Sequence, residues 1–258
     1  MIIDIHVHYY KKWCGMVGLK ITDLIAKMDK SGIDMSILNS LSALTEKDPS
    51  PGNKEIYNAV SLYPDRLVGM ASVNPYHAQY AEEELKRCLS AYEFKGLKLH
   101  PWIQGYPAHS EIVHNLIDIC KEYNVPILFH SGTPPYTQVV QIAYIAKKFP
   151  DVVFILGHMG LTYQWKEAIE VATMYQNIFL ETSGITYSFA IKEAIKKLGT
   201  GRIVFGTDSP FLESAELEIM KIKNLKLSSD QWEMIMYKNA KELFNLNQSK
   251  KLNGGKSG

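Results

Sequence analysis

Residues able to bind a metal ion lie at the ends of several short apolar segments of this sequence. His6 and His8 end the first such segment, and His130 and His158 follow two later ones. Asp208 follows the last of them, within Phe-Gly-Thr-Asp-Ser-Pro. Imidazole and carboxylate groups together suit zinc or a similar divalent ion such as manganese, iron or cobalt. With a coordination position left open for water, such a site would be catalytic.

The spacing of His6 and His8 predicts that both imidazoles reach one ion, because residues two apart in a β-strand share a face. Ile5 and Val7 are then expected to point toward surrounding helices. A single histidine is more often a solvated or core residue. Five of the eight histidines, however, fall at the ends of predicted strands, His100 being the fifth. This grouping favours one shared site.

The elements that position these side chains are short, strand-like apolar runs that recur along the whole chain, with starts spaced by roughly 29 residues, the size of a strand–helix–strand repeat. Several are almost continuously apolar, which is typical of parallel strands buried on both faces. The eight predicted strands are Ile2–His6, Met35–Leu38, Leu67–Val73, Gly96–Leu99, Val125–Phe129, Val152–Leu156, Ile178–Leu180 and Ile203–Phe205.

Segments with helical periodicity separate these strands, and strand–helix alternation from end to end predicts a parallel α/β fold. No Gly-x-Gly-x-x-Gly follows the first strand, so a dinucleotide-binding fold has no signature here. We expect residues 1–246 to form one domain and residues 247–258 to form a flexible polar tail. The predicted helices include Ala78–Ala91, Ser110–Tyr123, Gln138–Phe149 and Phe189–Leu198, with Glu213–Lys223 and Ser228–Leu246 as C-terminal additions.

Length and charge narrow the function. The chain has 258 residues, a length typical of a single (β/α)₈ barrel, and a formal net charge of +1. The charge is too small for a nucleic-acid or membrane-surface binder, and no apolar run is long enough to span a bilayer. The N-terminus lacks the basic segment of a signal peptide. Three cysteines without metal-like spacing indicate reduced thiols, so we expect a cytoplasmic protein.

Five motifs together resemble the amidohydrolase-related family, the branch of the amidohydrolase superfamily that includes the aminocarboxymuconate-semialdehyde decarboxylase-like enzymes. The resemblance extends from about Met1 to Leu246 and keeps the order of the motifs. As a set the motifs are specific for the family but not for a substrate. They are Asp4–His8, Gly96–Pro101, Leu156–Gly160, Glu181–Gly184 and Phe205–Pro210.

The resemblance implies a distorted (β/α)₈ TIM barrel that holds one divalent ion, usually zinc. His6, His8 and His130 match the family's imidazole ligands, and Asp208 matches the carboxylate that binds the ion or its water. His158 matches the histidine that contacts substrate or acts as acid or base. On this basis Asp208 and His158 are the predicted catalytic residues.

These groups suffice for hydrolysis of a small amide, ester or lactone. A divalent ion lowers the pKa of bound water to about 7, Asp208 can accept the water's proton, and His158 can donate a hydrogen bond to an oxyanion. A metal-dependent hydrolase is therefore our first expectation. The same groups would serve a non-oxidative decarboxylase, which is the alternative. A non-catalytic binding barrel is a third possibility, and an intact Asp208 and His158 argue against it.

Further residues are expected near the ion or the substrate. Lys98 shares a strand face with His100 and is either a carbamylated bridge between two ions or a free amine paired with a carboxylate or substrate. His100 is either a ligand or a group that orients one. Trp102 and Ser183 follow strands and are expected to line the substrate pocket. Glu181 is expected either to be structural or to orient residues that contact the ion or the substrate.

The arginines bear on the substrate. Arg66 and Arg202 precede predicted strands, and Arg87 falls within a predicted helix, so none is placed at the mouth to hold a carboxylate. This weakens the decarboxylase alternative for a dicarboxylate. The loops are short, so a homo-oligomer such as a dimer could complete the mouth around a small-molecule substrate.

Overall fold

In the computed structural model, which describes residues 1–212 and 214–246, strands and helices alternate along the chain. The strands in chain order are β1 (Ile3–Tyr9), β2 (Lys12–Trp13), β3 (Met16–Val17), β4 (Met35–Ser40), β5 (Leu67–Gly69), β6 (Ala71–Ser72), β7 (Leu97–Leu99), β8 (Ile127–His130), β9 (Phe154–Gly157), β10 (Ile178–Glu181) and β11 (Ile203–Val204). Apart from the antiparallel hairpin β2–β3, these strands pair in parallel.

Helices alternate with the strands, and most of them cover the outside of the parallel sheets, as the sequence pattern predicts. They are α1 (Ile21–Ser31), α2 (Leu41–Thr45), α3 (Ser50–Leu62), α4 (Ala78–Ser90), α5 (Pro101–Gln104), α6 (His114–Glu122), α7 (Val139–Lys148), α8 (Leu161–Met174), α9 (Ser188–Leu198), α10 (Ala215–Lys223), α11 (Ser229–Glu233) and α12 (Asn239–Leu243). A π-helical segment, Met234–Lys238, joins the last two. The predicted helix start at Glu213 and the predicted tail, residues 247–258, lie outside the described residues.

The parallel strands close into a barrel. One sheet has the order β1–β4–β5 and the other runs from β6 through β7, β8, β9 and β10 to β11. The third strand of the barrel is split at Met70, so β5 pairs with β4 while β6 pairs with β7. On the other side the Ile5 amide donates to the Phe205 carbonyl (3.1 Å) and the His8 amide donates to the Ser209 carbonyl (2.8 Å). The fold is the expected (β/α)₈ TIM barrel.

Two apolar layers hold the barrel together. The larger one lies between strands and helices, and the smaller one fills the barrel interior beneath the mouth. Phe244 and Ala240, from the C-terminal helices, belong to the interior layer. The C-terminal helices thus close the end of the barrel that is opposite to the carboxyl ends of the strands.

Within the described residues, no helix is both long and apolar enough to cross a membrane. Cys14, Cys88 and Cys120 are free thiols, as expected, with Cys14 exposed and the other two buried. Burial raises the pKa of the Cys120 thiol, which makes it unreactive.

Candidate metal centre and active site

The predicted ligand residues meet at the carboxyl ends of the strands. His6 and His8 lie near the end of β1, His130 ends β8, and His158 directly follows β9. Asp208 lies four residues after the end of β11. These side chains are largely buried, and the site is at the mouth where (β/α)₈ barrels carry their chemistry.

A β-bulge in β1 sets the directions in which the side chains of His6 and His8 point. The pairing of β1 with β4 gains one residue between Asp4 and Val7, so the side-chain alternation is reset within the strand. Ile5 packs in the interior layer instead of facing the helices, which corrects the sequence prediction, while Val7 faces the helices as predicted. Nε2 of His8, beyond the bulge, lies 2.9 Å from Oδ1 of Asp208, and Nε2 of His6, within the bulge, lies 3.2 Å from it.

Glu181 fixes the orientation of His6. Nδ1 of His6 donates to Oε2 of Glu181 over 3.1 Å, and both side chains are fully buried. This leaves Nε2 of His6 with a lone pair, which accepts from Nζ of Lys98 at 2.8 Å. The same Nε2 faces the Asp208 carboxylate, so two electron-rich atoms lie side by side. Such an arrangement is suited to a cation between them.

His158 is held by a second chain of hydrogen bonds from Glu181. The Ser183 hydroxyl donates to Oε2 of Glu181 (2.8 Å) and accepts from Nδ1 of His158 (2.9 Å). Nε2 of His158 is thereby left unprotonated and lies 3.1 Å from Nδ1 of His130, which can donate to it. On its far side, His130 bonds through Nε2 to the Thr133 hydroxyl at 2.8 Å.

The backbone around these side chains is unusual. His158 and Asp208 both have left-handed conformations, with φ of 66° and 55°, and such conformations outside glycine concentrate at functional sites. Gly206, two residues before Asp208, leaves the space that Glu181 needs. A Cβ there would lie 2.5 Å from Oε1 of Glu181 and 2.9 Å from Cβ of His6.

The donor set fits a divalent ion. One ligand atom each of His6, His158 and Asp208 lie within 4.8 Å of one another. Nδ1 of His8 is buried without a hydrogen-bond partner among the described residues. Neither His8 nor His130 joins the three-residue set, although His8 contacts Asp208 and His130 contacts His158. The ligand set predicted from the sequence therefore stays a prediction.

Burial controls the charges of the imidazoles. It lowers the pKa of His6, His100 and His130 well below the usual range, and the Lys98 charge or neighbouring histidines add to this. Burial also lowers the pKa of His158 to about 4, although the Asp208 carboxylate opposes the change. At neutral pH these imidazoles are uncharged, the form that binds metal.

The pKa values of the buried carboxyl groups shift in different directions. Burial pushes the pKa of Asp208 upward, but His158, which is protonated in the acidic range where Asp208 titrates, and the hydrogen bond from His8 outweigh it, and the pKa falls to about 2. Burial raises the pKa of Asp4 and Glu181 to about 7 despite several hydrogen bonds to each. Burial raises the pKa of a carboxyl group but lowers the pKa of an amine, and it lowers the pKa of Lys98 to about 8.

Of the residues expected to meet substrate, Ser183 instead bonds His158, as described above. His100 caps the short helix α5 by accepting from the Ile103 amide, and its ring stacks on His130 with centroids 4.0 Å apart. Trp102, half-exposed, stands at the rim with its ring 6.5 Å from His130. His100 and Trp102 therefore form one wall of the mouth.

The wall of the mouth opposite to His100 and Trp102 is formed by aromatic residues that the sequence motifs do not indicate. Phe211, which is 44% exposed, contacts the His8 ring edge-on at 5.4 Å and stacks with Tyr10. Trp13, on the β2–β3 hairpin, meets Phe211 at 6.1 Å. Phe211 lies only three residues after Asp208, which is the one clue that the sequence offered. Planar groups bound at the mouth would lie between aromatic side chains.

The arginines are engaged elsewhere, as predicted. Arg66 bonds Asp29 and main-chain carbonyls, and Arg87 pairs with Glu84. Arg202 donates to main-chain carbonyls of α8 and of Tyr175, the residue that follows it. Within the described residues, no arginine contacts the mouth.

Comparison with known proteins establishes the family. A sequence model described as Amidohydrolase matches residues 3–246. The chain belongs to this family. A curated relative, gamma-resorcylate decarboxylase of Polaromonas sp., is 24% identical in an alignment of 281 positions, gaps included, that covers 86% of each chain. The resemblance found in the sequence motifs is thus confirmed.

Solved structures of this amidohydrolase fold match the barrel. The 5-carboxyvanillate decarboxylase from Sphingomonas paucimobilis superimposes with a TM-score of 0.77 at 15% identity, covering 95% of this chain and 98% of that one. A dihydroxybenzoic acid decarboxylase from Polaromonas sp., with bound manganese and an inhibitor, gives a TM-score of 0.75 at 18% identity, covering 98% and 99%. At these identities the structures show the shared fold.

These relatives change two expectations, one about the reaction and one about the metal. The prediction of a hydrolase is wrong, because the named relatives are decarboxylases. The residues present are equally compatible with either chemistry, which is why the motifs alone did not decide. A divalent ion is supported, but zinc in particular is not, since the metal named in the relative is manganese.

Proposed function

We propose that this amidohydrolase-family protein is a metal-dependent, non-oxidative decarboxylase of a small hydroxylated aromatic acid. The similarity to a gamma-resorcylate decarboxylase over 86% of both chains carries the proposal. The aromatic walls and the buried proton-carrying groups of the mouth agree with it. The reaction replaces a carbon–carboxylate bond with a carbon–hydrogen bond and releases carbon dioxide, with no oxidant.

The ion would be held by His6, His8, His130 and Asp208, with His158 facing the substrate. His6 is preset for this role because Glu181 holds its Nδ1 proton and leaves Nε2 unprotonated. A bound divalent ion supplies positive charge to the substrate's oxygen atoms. The remaining steps fall to the side chains.

Asp208 is the proposed proton carrier. With a pKa of about 2 in the free site it is ionised and can accept the proton of a substrate hydroxyl. The same proton can then pass to the ring carbon that bears the carboxylate. Once that carbon is protonated, the carbon–carboxylate bond breaks, its electron pair returns to the ring, and carbon dioxide leaves. His158, whose Nε2 is unprotonated, is the second proton acceptor beside it.

The aromatic walls would hold the ring during these steps. Trp102 and Phe211 stand on opposite sides of the histidine cluster, beside His130 and His8 respectively. Planar rings stack favourably on such side chains. Their exposure leaves the mouth open for a small substrate, and we keep a homo-oligomer that completes the mouth as part of this proposal.

The test is carbon dioxide release in heavy water. Metal-free protein is loaded with manganese or zinc and incubated with 2,6-dihydroxybenzoate and related hydroxybenzoates. We expect one carbon dioxide per substrate consumed and one deuterium at the vacated ring position. Asp208→Asn should abolish turnover, and Glu170→Gln, on the surface, should not. Failure of every metal-loaded sample to release carbon dioxide from any hydroxybenzoate would refute the proposal.

A further inference from the structure

Lys98 is a fully buried amine whose hydrogen-bonding capacity is largely unused. An ammonium group carries three N–H donors. In the part of the chain that the structure describes, Lys98 donates to Nε2 of His6 and forms no ion pair with a carboxylate. Two donors therefore face the site without a partner from these residues.

The position of Lys98 in the barrel makes this amine costly. On β7 it lies in register with Leu128 of β8, which belongs to the apolar interior layer. The charges of Asp208 and Glu181 favour the protonated amine, but Nζ of Lys98 directly contacts neither carboxylate. Burying a charge without such a contact is unfavourable, and apolar replacement of buried charges is often stabilising. Stability therefore does not account for a lysine here. A binding partner from outside the chain does.

Lys98 is also the cation best placed to meet an anion in this mouth. The arginines contact groups elsewhere. Lys221 of helix α10 donates to the main-chain oxygens of Thr182 and Ile185 and pairs with Glu218. Lys98 instead points at His6, next to the proton carrier Asp208.

We propose that Nζ of Lys98 binds the substrate oxygen ortho to the departing carboxylate and stabilises its negative charge as carbon dioxide leaves. This inference rests on the proposed function and narrows its substrate class to ortho-hydroxylated aromatic acids. When the carbon–carboxylate bond breaks, its electron pair enters the ring and the ortho oxygen becomes a phenolate. The ammonium meets that charge with a preset donor.

The alternative partner, the carboxylate itself, is disfavoured by the direction of charge flow. The carboxylate loses its charge when it becomes carbon dioxide. A cation bound to it would hold the reactant more strongly than the transition state and would slow the reaction. A cation at the ortho oxygen strengthens its contact as the carbon–carboxylate bond breaks and therefore accelerates that step.

The test is binding of 2-nitrophenol, whose phenolate absorbs in the visible, compared with neutral nitrobenzene. Metal-free protein is titrated first, and the measurement is repeated with manganese. We expect Lys98→Met to weaken nitrophenolate binding by about 10- to 100-fold, the range of a charge-assisted hydrogen bond, and to leave nitrobenzene binding unchanged. Lys98→Arg should retain part of the preference for the anion.

Two controls separate binding from folding. Lys95→Met removes an amine just before β7, at the opposite end of the barrel, and should bind as wild type. Lys98→Met should unfold at a temperature no lower than wild type, because it removes a buried charge. Equal nitrophenolate affinity in wild type and Lys98→Met would overturn the proposal, as would a wild type that does not prefer nitrophenolate to nitrobenzene. Carbon dioxide release is measured separately, so the proposed function can fail while the Lys98 result holds.

Discussion

At the residue scale, Glu181 organises the site. Its carboxylate accepts from Nδ1 of His6, from the His158 amide and from the Ser183 hydroxyl. Through these bonds it sets the tautomers of two histidines and leaves both Nε2 atoms unprotonated. Glu181 acts on the chemistry through the histidines that it holds, which is one of the two roles expected for it from the sequence.

Glu181→Gln should weaken metal binding by about 10- to 100-fold, the usual cost of losing a carboxylate that orients a metal-binding histidine. The amide has nearly the same shape and can still accept from Nδ1 of His6, but it lacks the negative charge that makes Nε2 of His6 a better ligand. Titration of metal-free protein with manganese measures the change. Glu170→Gln, which alters a surface ion pair with Lys197, is the matched control and should bind as wild type. Unchanged affinity in Glu181→Gln would remove Glu181 from the metal centre.

Asp4 should make stability depend on pH. Burial raises its pKa from 3.8 to about 7, with hydrogen bonds from Thr207 and His6 opposing, so the folded protein holds a proton that the unfolded chain releases. The resulting stabilisation is complete below about pH 4 and is lost as the pH rises through about 7. Relative to Asp4→Asn, metal-free wild type should lose on the order of 4 kcal/mol of unfolding free energy over that range. Denaturant unfolding at several pH values measures it, and parallel curves for the two proteins would contradict it.

The site residues could be predicted where a residue type able to bind a metal stands at the end of a predicted strand. His6 and His8 lie in the second half of β1, and His130, His158 and Asp208 end or follow later strands, so the barrel topology brings all five to one mouth. The contacts that these side chains make with one another were harder to predict from the sequence. Whether His8 or His158 joins His6 and Asp208 depends on side-chain rotamers and on the Glu181–Ser183 hydrogen bonds, and these have no periodicity in the sequence.

At the element scale, the β1 bulge and helix α10 adjust the positions of side chains. The bulge explains why simple alternation misplaced Ile5 while placing the histidines correctly. Helix α10 acts from outside the barrel. Its Lys221 donates to the carbonyls of Thr182 (3.2 Å) and Ile185 (3.0 Å), which flank the turn that carries Ser183.

Lys221→Met should therefore impair His158 without touching substrate. With the two carbonyls released, Ser183 loses its fixed position 2.9 Å from His158. We expect kcat to fall by about 10-fold and KM to change less, since binding groups stay in place. Lys221→Arg should restore part of kcat. Lys223→Met, exposed on the same helix, is the control, and equal kcat for both methionine variants would show that α10 does not position the site.

At the scale of the whole molecule, the barrel itself was the most predictable feature. Buried parallel strands are nearly continuous apolar runs, and the eight predicted strands fall within a few residues of those observed. The break at Met70 and the β2–β3 hairpin were not predicted, because they depend on neighbouring strands and on Phe211 rather than on local pattern. The choice of reaction was equally out of reach, because decarboxylation and hydrolysis use the same groups.

The C-terminal helices seal the end of the barrel opposite to the site, and this division can be tested. Phe244 is 1% exposed and belongs to the interior layer with residues of several strands, among them Leu128 and Ile155. Phe244→Ala should lower the free energy of unfolding by about 3–5 kcal/mol, the usual cost of such a cavity. Phe189→Ala, at a position that is 52% exposed, should cost far less. Because Phe244 lies at the far end from the histidines, the folded fraction of Phe244→Ala should keep wild-type kcat below its unfolding temperature. A loss of kcat without a loss of stability would show instead that the C-terminal helices set the geometry of the mouth.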